Sequence, residues 1–397
     1  MSDPAHFSRM FKQRDKKHEL YKFGCTNLRQ EQVTAMDAVL LQQTAWTLLD
    51  NGKITDAIPY LSQARDRFVY EDGPQSLDAA NLSMELASIQ LETSSYEDAA
   101  VAARAALQIL GRFREMDPLV ATIVVQSQGI LSVALRATGR TLEAQHAILE
   151  AVRIAETVLG SDHRLTAAAL NGLGMFYQYG GDFARAEETY LRAIGIQLAC
   201  CGGDADHIEM ADFYRNLASL FHMWGNTTAG IELSRRAFAI RSKALGPDHL
   251  RAVSDQLALA VMLDEIDATA EAQTIYRRTL PILRQAYGPE HVEIASALHN
   301  LAVLHRDLGE LTEAGILFSQ AFEMRKRLLG EANLDTAKSA TCLAQVLRRN
   351  GELQRAAAIL DRAREVYEAS QEQPGKQQPC DRLPYKDLLS GLIVVRH

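Results

Sequence analysis

The sequence predicts an all-α, right-handed solenoid of about eight helix pairs, and three observations predict it. A turn followed by a small residue recurs eight times. GKITDA ends at Ala57, SSYEDA at Ala99, GRTLEA at Ala144 and GDFARA at Ala186. GNTTAG ends at Gly230, DATAEA at Ala272, GELTEA at Ala314 and GELQRA at Ala356, so the spacing runs from 42 to 45 residues. Seven positions further on stands a second small residue, from Ala64 and Ala106 to Ala321 and Ala363, with Thr279 the exception. Before each turn comes a leucine with a small neighbour, from Leu86-Ala87 to Leu343-Ala344; only the first copy, Thr44-Ala45, departs.

Each copy reads as a first helix, a turn and a second helix. Gly52, Gly139, Gly181, Gly225, Gly309 and Gly351 occupy the turns, where a residue able to take positive φ ends the first helix. The recurrent small residues let two helix axes approach closely. One pair cannot bury both its faces, so neighbours must stack. Residues 37–370 hold the repeats. Residues 1–36 form a basic extension expected to be helical, and residues 371–397 a linker, QEQPGKQQP, with an apolar tail. Pro281, inside a second helix, removes one N–H and crowds the carbonyl of Arg277, so a bend is expected there.

Composition narrows the function classes. A net charge of −8 over 397 residues argues against a general nucleic-acid binder. No apolar run approaches the roughly 18 residues of a membrane span, and no secretory segment follows Met1. The five cysteines show no CxxC spacing, so reduced thiols and a cytoplasmic setting are expected. Phosphate-loop, nucleophile-elbow, zinc-protease, dinucleotide and calcium-loop signatures are all missing, and no cofactor is expected.

The stretch GPEHVEIASALHNLAVLH, residues 288–305, raises a metal question with three histidines. His291, His299 and His305 lack the i,i+3 or i,i+4 spacing that converges on one ion, so no metal site is expected. His163, His249 and His291 instead recur in GSDH, GPDH and GPEH, and His207 in GDADH, as punctuation between repeats. Asp162, Asp248 and Glu290 are placed to cap or favourably meet the next first helix.

The small–turn–small pattern resembles the tetratricopeptide repeat. The period near 42, with ALGPDHLRAV (244–253) and LHNLAVLHRDLGELTEAGILFSQAFEMRKRLLG (298–330), resembles its kinesin-light-chain type. The resemblance implies that first helices line a concave groove, and that asparagines of an L-N-N-L-A motif contact the backbone of a bound peptide. That motif is half kept in Leu170-Asn171-Gly172-Leu173-Gly174, Tyr214-Arg215-Asn216-Leu217-Ala218 and Leu298-His299-Asn300-Leu301-Ala302. Asn171, Asn216 and Asn300 thereby inherit a backbone-binding role, which suits an amide that donates and accepts.

Residues 13, 10, 6 and 3 positions before each turn form one helical stripe, the groove-facing one. It carries Asn171 and Gln178 in repeat 4, Arg215 and His222 in repeat 5, and Ser254 and Asp264 in repeat 6. Ser296, His299 and Arg306 follow in repeat 7, and Lys338 and Arg348 in repeat 8. At the other end Trp46, with Val39, Leu49, Met84 and Leu91, makes the stripe apolar. His299 and Arg215 replace amides with chargeable groups, whereas His305 is expected in helix packing. The expected function is a non-enzymatic scaffold gripping an extended, acidic-apolar peptide, read by Arg215, Arg306 and Arg348. Two rivals stand beside it: a ligand-gated regulator, and an enzyme in which His222, oriented by Asp264, converges with His299. Self-cover by HFSRMFKQ (6–13) or LLSGLIVV (388–395) competes for the apolar end.

Overall fold

The computed structural model describes residues 37–50, 54–93 and 95–371. The N-terminal extension, Gly52, the tail and both self-covering segments lie outside them. Sixteen α-helices and no strand occur among the described residues, an α-solenoid of eight pairs. Contacts divide the chain into two units, Met1–Ala134 and Leu135–His397.

In the first unit α1 (Ala38–Asp50) packs on α2 (Ile54–Asp72), and α3 (Leu77–Glu92) on α4 (Tyr96–Leu110). Ser76 caps α3 by accepting from the Ala79 N–H at 3.2 Å. The buried face of α4 is alanine at Ala99, Ala100, Ala102, Ala103 and Ala106, which sets a short axis-to-axis distance. Helix α5 (Pro118–Ala137) crosses the boundary between the units. It is long and apolar enough to span a membrane by length and composition, which the reading of the sequence had not found. More than half of it is buried, with Val120, Ala121, Val124 and Leu131 nearly inaccessible, as in the core helix of a repeat.

In the second unit α6 (Thr141–Ile154) runs into a π-helical turn, Ala155–Leu159. Five pairs follow. They are α7 (Arg164–Tyr179) with α8 (Phe183–Cys200), α9 (Met210–Trp224) with α10 (Thr227–Leu245), and α11 (Leu250–Glu265) with α12 (Thr269–Tyr287). Then come α13 (Val292–Asp307) with α14 (Leu311–Leu329), and α15 (Leu334–Arg349) with α16 (Leu353–Gln371). One continuous apolar core runs from Ala218 to Ala356. Within it Tyr276 and Phe318 are fully buried, and each such side chain contributes about 1.5–3 kcal/mol. The recurrently small positions do what close packing demands: a Cβ on Gly174 would stand 2.6 Å from the Tyr190 ring. Helix α12 continues through Pro281 to Tyr287.

The turns and linkers are built on backbone chemistry. Gly309 ends the turn of repeat 7 at φ 80°. The same place in repeat 6 falls to Asp267, the one positive-φ residue other than glycine among those described, at φ 59°. At three of the four linkers, those of His163, His249 and His291, the histidine is itself the cap, which corrects the expectation that the acidic neighbours cap. Nδ1 of His163, His249 and His291 accepts from the N–H two residues on, each at 3.2 Å, and that of His207 at 3.3 Å. Asp248 and Glu290 turn instead to Arg278 and Arg327, each at 2.7 Å.

Candidate functional site

Direct contact between alternate helices joins α7 to α9, α11 to α13 and α13 to α15. All are first helices, so within the second unit these lie on the inner side of the curvature and the second helices on the outer. The inner face is therefore the surface on which the candidate residues must be judged.

Asn171 and Asn216 meet on it. Asn216 Nδ2 donates to Asn171 Oδ1 at 3.2 Å, and both are half-buried. Each amide retains a donor or acceptor beyond that bond. Asn300 lies beside Tyr276 of the neighbouring repeat, whose phenol burial pushes well above its ordinary range. Gln178 departs from expectation, being only 2% exposed. Its Oε1 accepts from the Tyr190 hydroxyl at 2.8 Å and its Nε2 donates to Ser219 Oγ at 2.9 Å. Three residues before the turn, the side chain is carried under α9 and its amide is committed inside the fold.

Cations follow along the same face. Arg215 stands 3.5 Å from Asp212 and 4.0 Å from Asp255, and its Nε is buried with no hydrogen-bond partner. Arg306 is held by Asp307 at 2.7 Å, and Lys338 faces Asp335 at 3.5 Å. Arg348 is exposed near the end of α15. In the first unit, Trp46 is half-buried and donates from Nε1 to Glu85 at 3.4 Å.

His299 is not the chargeable group expected. Its Nδ1 lies 3.1 Å from Ser339 Oγ and its ring meets Phe318 edge-on at 5.3 Å. Burial, followed by the fields of Arg325, Arg306 and Lys338, pushes it down to about 3, so it is neutral near pH 7. His305 is buried in helix packing, as expected. The His222–Asp264 pairing required by the enzyme reading is not formed. His222 Nε2 meets Glu265 at 2.8 Å, and Glu265 also accepts from Thr227 at 3.0 Å. One residue earlier on α11, Asp264 is turned toward repeat 7, where burial and then Asp307 push its carboxyl up.

Among the described residues Cys201, His207 and Glu209 bring ligand-type atoms within 4.8 Å of one another. Their chemistry is already engaged: Glu209 is held by Arg164 at 3.0 Å and Gln197 at 2.7 Å, and His207 Nδ1 accepts from the Glu209 N–H just before α9 begins. The cluster explains itself as a helix start.

Reading the stripe alone missed the charges beneath the face. Arg241, 1% exposed on α10, bonds to both Asp255 and Asp212 at 2.5 Å, and Arg251 adds a bond to Asp212 at 2.7 Å. Burial pushes the Asp255 carboxyl up, and Arg241 opposes that shift. Stacking AIRSKALG on EMRKRLLG would have exposed the partner position, Arg325, two repeats later.

These repeats define a helical interaction scaffold, and the comparisons agree on the class. The chain belongs to the tetratricopeptide repeat family. One model of that repeat matches residues 124–199, 209–285, 269–325 and 293–369, and a second matches 43–114. A comparison with curated proteins finds no significant match. Among solved structures the chain is similar to a Rap protein complexed with Competence and Sporulation Factor, at 16% identity and TM-score 0.55, over 74% of this chain and 77% of that one. It is also similar to a signal-transduction ATPase with a tetratricopeptide repeat sensor from Pyrococcus horikoshii, at 14% identity and TM-score 0.55, over 87% of this chain and 50% of that one. A putative kinesin light chain from Podosopora anserina with nearly identical repeats aligns at 22% identity and TM-score 0.44, over 53% of this chain and 99% of that one.

Proposed function

We propose that the protein is a non-enzymatic scaffold that holds an extended peptide along the inner face of its second unit. The observation that carries this reading is the Asn171–Asn216 pair, with Asn300 holding the place of Asn216 two repeats further on. Half-buried amides with residual donors and acceptors suit the repeating N–H and C=O of an extended chain. Arg215, Arg306 and Arg348 would meet acidic side chains, and His222, at the rim, a polar one. Trp46 belongs to the first unit and offers an apolar contact there. A Rap protein of similar fold has been solved in complex with Competence and Sporulation Factor, which supports a partner-binding use of the fold. A cytoplasmic setting belongs to the same reading, with Cys200, Cys201 and Cys342 all unbridged.

The test is selection of binders from a displayed random-peptide library on the full-length protein. Sequences enriched on the wild type should bind at least tenfold more weakly to Asn171→Ala/Asn300→Ala protein whose helical circular dichroism is unchanged. Absence of enrichment, or equal binding to both proteins, would remove the peptide reading.

A further inference from the structure

Arg241 and Arg325 occupy the same place in their repeats, 84 residues apart, or two periods. Arg241 is neutralised within the fold by Asp212 and Asp255. The residues at those two places around Arg325 are Ser296 and Ser339. Each still receives the guanidinium, at 3.1 Å to Ser296 Oγ and 2.7 Å to Ser339 Oγ, but neither carries charge. In the intervening repeat the same place holds Leu283, which needs no counter-ion.

Arg325 is 6% exposed. Its third contact is the Asp335 backbone carbonyl at 3.0 Å, while the Asp335 carboxylate is turned to Lys338. Its Nε is buried without a partner. Among the described residues no carboxylate lies within ion-pair distance of it. A buried cation satisfied only by neutral oxygens retains a large part of its desolvation cost.

Ser339 Oγ accepts from Arg325 and keeps its own hydrogen to give to His299 Nδ1 in the tautomer the subsite uses. The remaining ring proton of His299 then sits on Nε2. Ser296 Oγ also accepts from Arg325, leaving its hydrogen to be donated elsewhere. Ser296 and His299 are three residues apart on α13, on the same stripe, and both are half-buried. Arg306 and Lys338 add positive field around them.

We propose that repeats 7 and 8 form an oxyanion subsite, in which Ser296 and His299 donate to a carboxylate or phosphate oxygen above the buried Arg325. The incoming anion supplies the counter-ion that Asp212 and Asp255 build in two repeats earlier. The subsite rests on the inner face being a ligand surface, but not on the ligand being a peptide.

The experiment measures melting of the full-length protein at constant ionic strength against two probes, inorganic phosphate and the α-amide of N-acetylglutamate. The wild type should show a saturable rise with at least one of them. Response to the glutamate derivative identifies an acidic side chain as the source, and response to phosphate alone a free or esterified phosphate. Ser296→Asp/Ser339→Asp should melt higher than the wild type without anion and lose the saturable response. Should that variant fail to fold, Ser296→Ala must weaken the anion about fivefold. No saturable response in the wild type, or an undiminished one in these variants, overturns the subsite. A saturable response with no peptide selected would instead defeat only the peptide reading.

Discussion

Arg325 donates to Ser339 Oγ at 2.7 Å in the place where, two repeats earlier, Arg241 meets Asp255. The same helix-pair geometry therefore supports a buried guanidinium in two ways, one closed by carboxylates and one left to hydroxyls.

The closed version should be costly to open. Asp255→Asn leaves Arg241 with Asp212 alone and is expected to destabilise the protein by about 3 kcal/mol, since breaking a buried pair strands a charge. Urea unfolding of the second unit measures this. A loss below about 1 kcal/mol would mean that Asp212 suffices.

The turn of repeat 6 should be improvable. Asp267 holds φ 59°, where the other repeats of the second unit use glycine. Asp267→Gly is expected to stabilise by roughly 0.5–1 kcal/mol, by relieving the Cβ cost of the left-handed conformation. A higher urea midpoint with unchanged slope would register it.

Tyr190→Phe should be destabilising despite being nearly isosteric. It removes the donor to Gln178 Oε1, which is buried beneath α9, and leaves that acceptor unsatisfied at a cost of about 1–3 kcal/mol. Thermal melting should drop, and peptide affinity at the inner face should change much less.

Acid should weaken the fold through histidine. Burial depresses His163 and His291 below 6.5 and His299 to about 3. The unfolded chain binds these protons first, so the stability they confer is complete above pH 6.5. It is lost progressively as pH falls through the range down to about 3. Protonation also removes the Nδ1 acceptor that caps α7 and α13. His299→Gln should flatten the acid limb of a melting-temperature profile between pH 6 and 4; an unchanged limb would contradict the assignment.

Much of the fold was legible because its signals are periodic. Ala144, Ala186 and Ala314 belong to a series that recurs every 42 to 45 residues, and each is fully buried where two axes approach. The linker histidines were legible as punctuation, but their capping role was not, because a histidine acceptor looks the same in sequence as a solvated one. The site was harder to read. A four-position stripe treats a helix as an isolated cylinder, so it placed Gln178 in the open when the next first helix covers it. It also read His299 as chargeable, whereas burial, and then Arg325 reaching from a second helix, keep it neutral. The decisive charges lie on second helices, outside any stripe drawn on the first.

The central claim is that a ligand runs along the first helices of the second unit. Amide hydrogen exchange, with and without a library-selected peptide, tests it most directly. Protection is expected in α7, α9, α13 and α15, whose inner faces carry Asn171, Arg215, His299 and Lys338, with α8, α10 and α14 unchanged. Protection confined to the second helices would contradict the account.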